Sequence, residues 1–179
     1  EIAAIFSYDA VMKGGFDQFA NSAVKKKGTA EVDAAFLVEI EGWREALAKN
    51  VALRNRLKVH NEADLNYAVQ MTIDRIIFLR ICEDRGIENY GRLQALQNGA
   101  NAYKRLVQLF SQADDRYNSG LFHFQKEKGR HEEPDTLTTR IEIDDKPLQD
   151  ILKRLYYPES PYEFSVLSAD ILGQVYEQF

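Results

Sequence analysis

Apolar positions recur along this chain mostly at spacings of three and four, the mark of helices that bury one side. Thr29 is placed to cap a long helix, with Glu31 and Asp33 in its first turn, where the helix dipole favours anions. Val32, Phe36, Ile40, Trp43 and Leu47 then form one stripe, which runs out near Asn55. Upstream, Ser7 can cap a short helix that Gly14 and Gly15 interrupt before the pattern resumes over 16–24. Asn61 with Asp64 resembles a capping box and opens a helix over 62–85 that stops at Gly86. At about 1.5 Å per residue it spans roughly 36 Å, enough to cross a domain. Leu65, Val69, Ile73 and Ile76 line one face, and Met71, Phe78 and Cys82 another. Two apolar faces predict a central, largely buried helix.

After the Asn98-Gly99 break a third helix follows, with Tyr103, Leu106, Val107, Phe110 and Ala113 turned inward. Residues 117–136 carry Gly120, Gly129, Pro134 and many charges, and read as a long surface loop. TLTTRIEI, residues 136–143, alternates as a short strand would. Asp145 is read as the cap of a helix whose Leu148, Ile151, Leu152 and Leu155 face the core, ended by the PESP stretch at 158–161. A last helix begins at Ser168, with Ile171, Leu172, Val175, Tyr176 and Phe179 on one face. No stop signal closes it, so the chain is expected to be a piece of a longer protein. The pattern predicts a mainly α fold: one bundle-like domain over 1–179, with a long central helix and at most a small β element. A sub-division is possible only near the 117–136 loop.

Composition narrows the class. With 45% hydrophobic and 28% charged residues, the chain reads as an ordinary globular domain. No apolar run approaches the roughly 18 residues of a membrane span. Cys82 is the single cysteine, so no internal disulfide can form and a cytoplasmic setting is expected. A net charge of −5 argues against a surface built wholly for phosphate, but not against a local basic patch. Two groups qualify as DNA-backbone contacts: Lys25, Lys26 and Lys27, and Arg54, Arg56 and Lys58. They serve equally well as solvated cations at helix ends.

The stretch FLRICEDRGI, residues 78–87, holds the densest charge. Arg80 reaches Glu83 at i+3 and Asp84 at i+4, and all three continue the stripe of Leu65, Val69, Ile73 and Ile76. Charges that extend a core stripe must be paired, so a structural ion-pair network is the favoured reading and no catalytic residue is assigned. A rival candidate lies in PDTLTTRIEIDDK, residues 134–146. Its Pro-Asp and Asp-x-Lys match the pattern by which metal-dependent nucleases hold Mg²⁺, through Asp135 and Asp144 with Lys146 beside the phosphate. The same residues also make a turn and a helix cap. His60, His123 and His131 lack zinc-ligand spacing, and Cys82 reads as a small buried apolar residue. No glycine-rich phosphate loop is present.

Several long blocks together carry a resemblance. FDQFANSAVKKKGTAEVDAAFLVEIEGWREALAKN, LNYAVQMTIDRIIFLRICEDRGIENYGRL, YNSGLFHF, YYPESPYEFSVL and ILGQVYEQF resemble the region between the nuclease and methyltransferase parts of Type IIG restriction–modification enzymes. The likeness covers nearly the whole chain. It implies a helical connector within a parent enzyme that cuts double-stranded DNA and methylates adenine. It also implies flanking nuclease and methyltransferase domains as partners, and S-adenosylmethionine and Mg²⁺ as cofactors of the parent. None of those cofactors is expected in this segment. The nearest approach to the methyltransferase motif, Ser160-Pro161-Tyr162, lacks the amino-acid that would hold the adenine amino group and the second proline. Because the family's nuclease lies upstream, the likeness also weakens the Asp135, Asp144 and Lys146 reading. A protein-interaction module using the terminal helix remains a further alternative.

Overall fold

The computed structural model describes residues 30–117, 119–126, 131 and 133–165. The expected elements at 7–24, the Lys25–Lys27 group and the terminal helix from Ser168 lie outside these residues. Four α-helices are described: α1 (Ala30–Arg54), α2 (Glu62–Asp84), α3 (Ala102–Tyr117) and α4 (Asp145–Lys153), with a short 3-10 turn at Gln94–Gln97. No strand occurs among the described residues, so the chain is mainly α.

α1 packs on α2, and α4 packs against α1, α3 and the 3-10 turn. The α1 stripe of Phe36, Ile40, Trp43 and Leu47 is buried, as its spacing requires. Phe36 meets Phe164 edge-on with ring centroids 5.4 Å apart, which closes the bundle at that end. α2 starts where the capping pattern places it: the Asn61 side chain accepts from the Asp64 amide at 2.8 Å. The reciprocal bond goes one residue further back, from the His60 amide to Asp64 Oδ2 at 3.1 Å. Gly86, with φ of 70°, takes the left-handed position after the helix that side chains avoid.

Three local expectations are corrected. Residues 136–143 are not a strand: 137–140 form a turn, and 141–143 have no regular secondary structure. The alternation itself is real, since Ile141 and Ile143 are buried and Glu142 is exposed. Side-chain amides in and just after α1 take the place of a ladder, Asn50 on Asp144 and Asn55 on Glu142. Asp145 does not cap its own helix; the N-cap position belongs to Asp144. Asp145 instead accepts from the Asn101 and Ala102 amides at 3.0 and 2.7 Å, capping α3 from across the fold. The 117–136 stretch is not simply a surface loop, because Phe122, His123 and Asp135 are buried. Among the described residues no helix is long and apolar enough to cross a membrane.

Candidate functional site

The last two turns of α2 carry Arg80, Glu83 and Asp84 into the interior, where Arg80 is 3% and Glu83 4% exposed. Arg80 Nη1 lies 2.5 Å from Asp84 Oδ1 and 3.8 Å from Glu83 Oε2. Its Nε donates to the Leu155 carbonyl at 2.9 Å. The guanidinium also stacks on Tyr156, Phe164 and Tyr90, at 4.4, 5.0 and 5.1 Å from their ring centres. Glu83 turns toward the chain that follows α2, accepting from the Gly91 and Leu93 amides at 3.1 and 2.9 Å and from the Tyr156 hydroxyl at 2.5 Å. Asp84 accepts from the Phe164 amide at 3.0 Å. Burial, and then the Glu83 carboxylate, push the Tyr156 phenol well above its ordinary range, so it stays a donor. These bonds use the carboxylates as acceptors, from backbone amides and from the Tyr156 hydroxyl.

Sequence reasoning missed a second buried charge pair. Arg75 is fully buried, and its Nη2 lies 2.8 Å from Asp135 Oδ2. Its Nη1 donates to Thr138 Oγ1 at 2.7 Å and its Nε to the Leu121 carbonyl at 2.8 Å. Phe124 lies under the guanidinium at 4.6 Å. The signal was present: at about 100° per residue, Arg75 falls on the second apolar face of α2, with Met71 and Cys82. A third cluster surrounds Glu88, which accepts from Arg92, from Arg116 at 3.0 Å and from the Tyr117 hydroxyl at 2.6 Å. Burial pushes the Glu88 carboxyl up. The Tyr117 bond and the two arginines outweigh it, so the group rests below its ordinary value. Cys82 is buried nearby, and desolvation raises its thiol above the ordinary range.

The Asp135, Asp144 and Lys146 set is given separate partners. Asp135 is spent on Arg75, on the Leu137 and Thr138 amides at 3.0 Å each, and on the Thr138 hydroxyl. Asp144 takes the Asn50 amide group at 2.8 Å and Arg54 at 2.6 Å, and these hold its carboxyl below the usual range. Lys146 is exposed and lines a groove between α1 and α4. Among the described residues no group of three or more His, Cys, Asp or Glu is arranged to hold a metal ion. Of the basic candidates, Arg54 pairs with Asp144, and Lys58 with Glu142 at 3.0 Å. Arg56 is exposed and has no partner among the described residues.

Compared with known proteins, the chain is 36% identical over 180 aligned residues to the type II restriction enzyme and methyltransferase RM.Eco57I of Escherichia coli. The match takes in 100% of this chain. The chain is related to a segment of a restriction–modification enzyme. It spans 17% of that relative's length. No family model matches the chain, and no solved structure matches it at a significant level.

Proposed function

We propose that this chain is a helical connector of a bifunctional restriction–modification enzyme, holding a nuclease part and an adenine methyltransferase part in register on double-stranded DNA. The single observation that carries the reading is the whole-length similarity to RM.Eco57I. The architecture supports it, because Arg75, Arg80 and Glu83 of α2 bind segments far along the chain. Arg80, Glu83 and Asp84 then serve as the anchor that stiffens this spine. S-adenosylmethionine and Mg²⁺ belong to the parent enzyme's other parts. Asp135 does not suit Mg²⁺, since its oxygens are engaged by the buried Arg75 and by Thr138, and Asp144 is paired with Arg54 and Asn50.

Arg80→Met tests the reading. It leaves the buried Glu83 and the half-buried Asp84 without their cation, and should cost on the order of 3 kcal/mol in the isolated chain. In the full enzyme, DNA cleavage and DNA methylation should fall together, because a loosened spine disturbs both parts. Full retention of both activities in a variant with a lowered melting temperature would sink the connector role. Mg²⁺-dependent plasmid cleavage by this chain alone, abolished by Asp144→Ala, would replace it with the nuclease reading.

A further inference from the structure

We propose that the turn after α1, Asn55-Arg56-Leu57-Lys58, is a preorganised tip that presses on duplex DNA, with Arg56 on a phosphate and Leu57 against the minor-groove edge. The inference deepens the connector reading and rests on it for the identity of the partner.

Leu57 is 91% exposed, and Leu53, one helical turn earlier, is 66% exposed. A single exposed leucine is ordinary. What distinguishes this one is the base beneath it. Asn55 is buried, and its side-chain amide grips the Glu142 backbone through both a donated and an accepted bond, at 2.8 and 2.7 Å. The Asn55 amide donates to the Val51 carbonyl at 3.0 Å, while the Asn55 carbonyl accepts from the Lys58 and Val59 amides at 2.9 Å each. The turn is therefore fixed before any partner arrives, which lowers the ordering entropy that binding must overcome.

The charge around the tip selects the partner. Arg54, Arg56 and Lys58 fall within five consecutive positions around Leu57. Asp144 and Glu142 hold Arg54 and Lys58 in ion pairs at the surface, where a phosphate can compete for the cation. Arg56 needs no such exchange, having no partner among the described residues. An apolar side chain between cations suits the minor groove, where apolar groups press on the sugar and base edges and cations meet the flanking phosphates. Lysine, in contrast, is depleted at the core of a protein–protein contact.

The test is a salt titration of the 179-residue chain on a labelled duplex of about two helical turns, read as the slope of log affinity against log salt. Arg56→Ala should lower the magnitude of that slope by about 0.9, the contribution of one phosphate contact. Leu57→Ala should weaken binding by about fivefold with the slope unchanged, since it removes apolar contact alone. Glu142→Gln should tighten binding by about threefold, because it frees Lys58 for a phosphate. All three side chains are exposed, so their thermal midpoints should match the unmodified chain. Absence of duplex binding at low salt would overturn the proposal. So would binding indifferent to all three changes, as expected if the tip met a protein or the DNA were held elsewhere. The connector reading fails by a different result, retained cleavage and methylation in Arg80→Met, so the two are told apart.

Discussion

Asn55, just past the end of α1, and Glu142, 87 positions later, are joined by two bonds through a single amide group: Nδ2 donates to the Glu142 carbonyl at 2.8 Å, and Oδ1 accepts the Glu142 N–H at 2.7 Å. The side chain replaces a neighbouring strand. Asn55→Asp keeps the shape and the acceptor but loses the donor, facing two carbonyl oxygens with a carboxylate. It should cost about 3 kcal/mol, and Asn55→Ala about 2 kcal/mol, in denaturant unfolding. A change below half of a kcal/mol in both would mean the 141–143 segment is held by Ile141 and Ile143 alone.

Arg75 and Asp135 should behave as one unit. Each is buried, so removing either strands the other in a low-dielectric site. Arg75→Met and Asp135→Asn should each destabilise by about 3 to 5 kcal/mol. The double variant should lose less than their sum by about 2 kcal/mol. Strict additivity in the cycle would show that the two charges are not coupled.

Glu88 introduces a pH dependence with a defined sign. Its folded-state carboxyl lies below its ordinary value, so the unfolded chain takes up the proton first. The stabilisation is complete above the ordinary carboxylate range of about 4.3, and is lost as pH falls through the lower folded value. Glu88→Gln should therefore destabilise on the order of 2 kcal/mol at neutral pH, with the gap to the unmodified chain narrowing below about pH 4. A gap that stays constant from neutral to acid would remove Glu88 from the acid response.

The sequence was most legible where cause and effect lie within one or two helical turns. The stripe through Phe36, Ile40, Trp43 and Leu47 and the Asn61–Asp64 cap are such features, because spacing alone decides them. The step from Arg80 to Asp84 is also local, but the amides that engage Glu83 and Asp84 come from Gly91, Leu93 and Phe164. Nothing in the spacing of α2 announces those partners. Asp145 shows the same limit: its position before an apolar helix suggests a cap, and only the packed fold sends it to α3. The alternation at 141–143 reported burial correctly but could not report what fills the hydrogen-bonding edge. Arg75 was overlooked although the stripe argument applied to it, because its partner Asp135 lies in a stretch dominated by loop-forming residues.

The carboxylates at the end of α2 have one further consequence, visible on the clock of hydrogen exchange. The amides of Gly91, Leu93 and Phe164 belong to no helix, yet each ends on Glu83 or Asp84. Amides in irregular segments ordinarily exchange through small local openings. Held on carboxylates of α2, these three should exchange more slowly than other amides of irregular segments, which couples the chain after the helix to its last turn.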